Sequence, residues 1–250
     1  MIDNQIFMMF LSNQNSCLNQ LKYKYLRYLS ISKIYPNMIE DLIRKTNEPE
    51  FYHNYELHLV SSKSEINDIN ISEFNFVMED LYAENSQESL SHWKIIAYNL
   101  IESRNLHIRT LLPYVKMNIL DNHPLLWKFK EECYECELQT FPQNPSEFLG
   151  DLLLEFEKLT GNWLNLNDYF WGIDENYKYK SSTDIRVPHS LIKLFEATSF
   201  KHNIGFKIGD MESEAYQPNV KLLIFGNEEI CPNNFDLRQP YIIADNFTAM

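Results

Sequence analysis

The sequence predicts a single α+β domain spanning residues 1–250, mainly helical in its N-terminal two-thirds, with a small β-sheet formed largely by its C-terminal third. The softer subdivision is residues 1–200, mostly helical, and 201–250, β-containing. Three observations lead there. Apolar residues in 72–85 and 88–104 recur at helical spacing, residues 144–161 carry helix start and stop signals, and three short β-type runs follow His202.

Along the chain, Leu18, Leu21, Tyr25, Tyr28 and Leu29 give Cys17 to Lys33 the stripe of an amphipathic helix. Lys22, Lys24 and Arg27 sit between them, but three charges on an acidic chain do not make a nucleic-acid surface. Tyr35-Pro36 ends that helix, and the Asn-x-x-Glu of Asn37 to Glu40 reads as a capping box for a second, short one carrying Ile39, Leu42 and Ile43. Tyr55, Leu57 and Leu59 alternate with Glu56 and His58, which predicts a half-buried strand to Val60. Phe74, Val77, Met78, Leu81 and Tyr82 then predict a helix over 72–85, and Leu90, Trp93, Ala97, Leu100 and Ile101 another over 88–104. Pro113 should split the apolar stretch 106–120, and His123-Pro124 opens a further segment through Leu126, Phe129, Cys133 and Cys136.

The next helix has the fullest signature. Asn144 can cap, Pro145 takes the first helical position, Glu147 can close a capping box, and Gly161 can terminate in the left-handed region. Phe148, Leu149, Leu152, Leu153, Phe156 and Leu159 form its apolar stripe. Trp163 to Gly172 is aromatic and Asn-rich without a helical period, hence an ordered loop or a short strand, and Val187-Pro188 starts a helix bearing Leu191, Leu194 and Phe195. Ile204 to Ile208, Val220 to Phe225 and Tyr241 to Ile243 are the expected strands, with polar loops at 209–218 and 227–240.

Composition narrows the function. With 44% apolar and 23% charged residues the chain is an ordinary folded protein. No apolar run is long enough to span a bilayer, and Ile6 to Leu11 is too short for an export signal, so a cytoplasmic protein without a membrane partner is expected. The net charge of −13 is concentrated in the second half. Glu131, Glu132, Glu135, Glu137, Glu147, Asp151, Glu155 and Glu157 follow one another with no intervening Lys or Arg, a field that repels nucleic acid and attracts basic proteins. Six glycines and the absence of G-x-G-x-x-G and G-x-x-x-x-G-K-[ST] remove dinucleotide and P-loop enzymes.

Other constellations are incomplete. Cys133-Tyr-Glu-Cys136 is half a zinc or redox motif, its partners are missing, and the surrounding glutamates disfavour a thiolate, so core cysteines on one helix side are expected. The histidines form no H-E-x-x-H, and His53 and His58 share neither a helix face nor a strand face. His189-Ser190 lacks the nucleophile elbow. Neither a cofactor nor a metal is expected, and no catalytic residue is assigned.

The leading expectation is a non-enzymatic acidic binding protein that docks a basic protein partner, of the kind a bacterial immunity-type inhibitor uses to neutralise a toxin. Its partner-binding residues would be Glu147, Asp151, Glu155, Glu157, Trp163, Asp168, Tyr169 and Trp171, carboxylates for steering and aromatics for anchoring. The alternatives are a metal-dependent or carboxylate-based hydrolase, with acids converging between the helical part and the C-terminal sheet, and a structural or assembly subunit of a mobile element docking through Ile6 to Leu11.

Overall fold

The computed structural model describes residues 38–66, 70–84, 90–107, 112, 116–172, 184–212, 217–226 and 239–250. The expected helix at 17–33, the apolar segment 6–11, Pro113, Cys17 and Cys231 lie outside the described residues. Strands, not helices, dominate what is described, and they form three antiparallel sheets.

After helices α1 (Met38–Thr46) and α2 (Phe51–Asn54), strands β1 (Tyr55–Ile66), β2 (Asn70–Asp80) and β3 (Leu90–Tyr98) make a meander. Strand β11 (Asn246–Ala249) completes this first sheet in the order β1-β2-β3-β11. The second sheet takes β4 (Glu102–Arg104), β5 (Met117–Leu120), β9 (Lys221–Phe225) and β10 (Tyr241–Ala244) in the order β4-β10-β9-β5. The chain crosses between the two sheets twice, from β3 to β4 and from β10 to β11. Asn99 at the first crossing has φ of 52°, a left-handed value Asn tolerates, and its Nδ2 donates to Asp245 at the second crossing over 2.7 Å.

The mainly helical N-terminal two-thirds is therefore corrected: the two expected helices at 72–85 and 88–104 are strands β2, β3 and β4. Burial along β2 alternates, with Ser72, Phe74, Phe76 and Met78 inward, while Val77 and Leu81 of the supposed helical stripe point away from the core. The aromatic and β-branched content of this stretch fits a pleated, half-buried surface, and pairing on both sides of β2 decides the matter against helical spacing.

The inward residues of the first sheet pack on Leu223, Phe225, Ile242 and Ala244 of the second, and Phe76 meets Phe225 with ring centroids 5.4 Å apart. The opposite face of the second sheet is covered too. Leu222, Ile224, Tyr241 and Ile243 pack against Trp163 and against Leu125 and Leu126 of α3 (Pro124–Lys130). Burial on both faces explains the unbroken apolar runs at 222–225 and 241–244, the feature that made these strands legible.

The third sheet, β7-β6-β8, consists of β6 (Cys133–Leu138), β7 (Asp184–Pro188) and β8 (Phe206–Glu212). One face carries α4 (Pro145–Thr160) and α5 (His189–Lys201) around Phe148, Phe156, Phe170 and Phe195. Pro145 and Gly161, the latter at φ of 59°, bound α4 where the sequence placed them. Asn144 does not cap the backbone, however, and its Nδ2 donates to Glu147 instead over 3.0 Å. The loop expected at 209–218 begins inside β8, which runs to Glu212.

Candidate functional site

The other face of the third sheet is open, and the alternation of β6 determines what it presents. Cys133, Glu135 and Glu137 point outward while Cys136 and Leu138 point into the core. The C-x-x-C thus lies on a strand, its two sulfurs on opposite faces, which corrects the expectation that both share one side and removes a chelating or disulfide pair. Burial pushes the Cys136 thiol pKa up, keeping it protonated and inert.

Register sets Arg186 opposite Glu135, Asp184 opposite Glu137 on one side, and Lys207 opposite Glu137 on the other. The segment after α4 docks along β7: Phe170 bridges to Ile185, Arg186 N donates to Tyr169 O over 3.0 Å, and Trp171 N to Asp184 O over 3.3 Å. Period-2 alternation then buries Phe170 under the helices and leaves Trp171 on the open face, 53% exposed. Trp171 borders a concavity of about 430 Å³ together with Glu135, Glu137, Asp184 and Asp210, with Arg186 and Lys207 among the lining residues.

Arg186 also lines a larger cleft of about 690 Å³. This cleft lies between the β-sandwich and the third sheet, with Trp163, Tyr169 and Tyr241 as aromatic walls and Glu102, Arg104, Lys128 and Asp168 as charged ones. Tyr241 donates its hydroxyl to Glu102 over 2.6 Å, and Lys128 reaches the same carboxylate at 3.6 Å. Burial first, then the Glu102 carboxylate, pushes the Tyr241 pKa up; burial and Asp168 do the same to Tyr169.

The structure separates the eight sequence-derived partner-binding residues into three groups. Trp163 and Tyr169 are interior, 4% and 7% exposed, and serve as cleft wall; Trp163 packs edge-on against His123 at 4.4 Å. Trp171 is exposed on the open face and Asp168 at the cleft mouth. Glu147, Asp151, Glu155 and Glu157 are on α4, and most of their charge is engaged locally. Asp151 takes Lys201 Nζ at 2.6 Å and lies 2.8 Å from His202 Nε2, Glu155 takes Lys158 at 2.6 Å, and Glu147 takes Asn144. The bond from Lys201, then that from His202, holds the Asp151 carboxyl below the usual range. Glu131 is also committed, accepting from Ser190 N and Oγ at 2.8 and 2.6 Å as an anionic cap on α5.

Sequence reasoning missed Glu102, Arg104, Lys128, Arg186, Asp184 and Tyr241. The Asp-Ile-Arg-Val alternation of 184–187 carried the signal for two of them. No family model, no curated protein and no solved structure matches this chain. Among the described residues no helix is long and apolar enough to cross a membrane.

Proposed function

We propose that this chain is an acidic, non-enzymatic binding protein that docks a basic protein partner on the open face of the third sheet, in the manner of an immunity-type inhibitor covering a cationic site on a toxin. Trp171 carries this reading. A large aromatic ring 53% exposed beside Glu135, Glu137, Asp184 and Asp210 combines an apolar anchor with carboxylates. A partner arginine or lysine can lie over the indole face while its charge meets the carboxylate row. The net charge of −13 supplies long-range steering toward such a partner. The α4 acids, of which Glu147, Asp151 and Glu155 are engaged by their own neighbours, contribute to the field and not to the contact.

Native mass spectrometry on the protein purified from its own host, at low salt, tests this. The expected result is a stoichiometric complex with a protein of high isoelectric point, lost in Trp171→Ala and in the Glu135→Lys/Glu137→Lys double variant. Equal recovery of the same partner by these variants rejects the face, and an acidic partner rejects the reading.

The hydrolase reading retains one supporting observation, that Glu102 and Asp168 line the cleft between sandwich and third sheet. Against it, Glu102 is held by Tyr241 and Lys128. Turnover of a glycoside or phosphoester that disappears in Asp168→Asn would move the assignment to the cleft. The mobile-element reading rests on residues 6–11, which lie outside the described residues.

A further inference from the structure

The outer face of the first sheet, remote in sequence from the docking face, brings together three metal-ligating side chains. Glu56 and His58 are two apart on β1 and therefore share a face, while Glu79 of β2 is the register partner of Glu56. Leu57, Leu59 and Met78 fill the inner positions between them, so all three polar side chains stand on the outer side. Their donor atoms lie within 4.8 Å of one another, and each residue is half-buried.

Two features make this more than a polar surface. Carboxylates directly opposite each other on paired strands repel, and a cross-strand pair of like charge is unfavourable without a counterion. His58 Nε2 is sealed from solvent and makes no hydrogen bond, lying 3.5 Å from the Glu56 carboxylate. An imidazole nitrogen shielded from water and facing two carboxylates offers a lone pair that a cation can take.

We infer that Glu56, His58 and Glu79 form a binding site for one divalent transition-metal ion of the zinc class. One imidazole and two carboxylates match zinc's nitrogen and oxygen preferences, and their charges neutralise the ion. With bonds of about 2.0–2.2 Å, a tetrahedral ion needs donors about 3.4 Å apart, a closing that rotation of two flexible glutamates supplies. Three protein ligands leave a fourth position for water, and the ion ties the edge strand β1 to β2.

The test uses the full chain after chelator treatment, titrated with Co²⁺ and then Zn²⁺. The expected result is one saturable site with the strong visible absorption of tetrahedral Co²⁺, displaced by Zn²⁺, and a higher Tm with Zn²⁺. Glu79→Gln and His58→Asn should each weaken Zn²⁺ binding by more than about tenfold, since even the loss of a ligand's supporting partner costs that much. Should a variant fold poorly, the ¹⁵N shift of the His58 ring in the unaltered chain on adding Zn²⁺ decides the matter. Absence of a saturable site, uptake undiminished in folded variants, or an unmoved His58 resonance overturns the inference.

Discussion

At the scale of single residues, Gly209 and His123 are two positions where chemistry constrains the fold. A Cβ built on Gly209 would sit 2.8 Å from the Glu135 carbonyl oxygen, a backbone atom that cannot swing aside. The register shift between β6 and β8 falls at this point. Gly209→Ala is expected to cost about 1–3 kcal/mol by overpacking, read from urea unfolding, and to disturb the concavity beside Trp171. His123 accepts from Leu125 N at the start of α3 and is buried against Trp163; burial lowers its pKa to about 4. The unfolded chain has a histidine pKa near about 6.5, so between these values the unfolded state binds more protons and stability falls as pH drops. The loss is up to about 3 kcal/mol and is complete below the folded-state pKa. His123→Asn, which keeps a capping side chain, should flatten the stability profile over pH 4–6.5, and an unchanged slope would assign the acid loss to other groups.

At the scale of elements, legibility followed how each element buries its residues. Helix α4 could be read because Pro145, Gly161 and its apolar stripe all point to the same structure. The runs at 222–225 and 241–244 could be read because they are buried on both faces. β2 could not, since Val77 beside Phe76 and Met78 fills out a helical stripe, and only pairing with β1 and β3 reveals that the ladder is two-sided. The proposed docking face was half legible for a related reason: the acidic run contained Glu135 and Glu137, but Asp184 and Asp210 reach them through sheet register, which linear spacing does not encode. The role of β2 is open to test at Phe76, which is fully buried and joins the two sheets through Phe225. Phe76→Ala should destabilise by about 3–5 kcal/mol, while Val77→Ala, on the outer side, should cost much less. Similar costs at both positions in denaturant titrations would contradict the inward and outward assignment.

At the scale of the whole molecule, the proposed binding divides into separable contributions from charge and shape, and kinetics can tell them apart. The field of a −13 chain acts over roughly a Debye length, about 8–10 Å in moderate salt, so it governs encounter and fades as salt rises. Trp171 acts only on contact, through area removed from water and a cation held against its ring, a contribution that fades far less with salt. Once the basic partner is in hand, Glu135→Lys/Glu137→Lys should therefore lower the association rate and flatten its dependence on ionic strength. Trp171→Ala should leave association nearly unchanged and speed dissociation. Neutralising Glu155 and Glu157 on α4 should shift the association rate in the same direction but less, because those carboxylates lie on a helix packed against the sheet's covered face. Stopped-flow mixing across a salt series measures all three. A larger effect from the α4 pair than from the β6 pair would place the contact on the helix and overturn the assignment to the open sheet face.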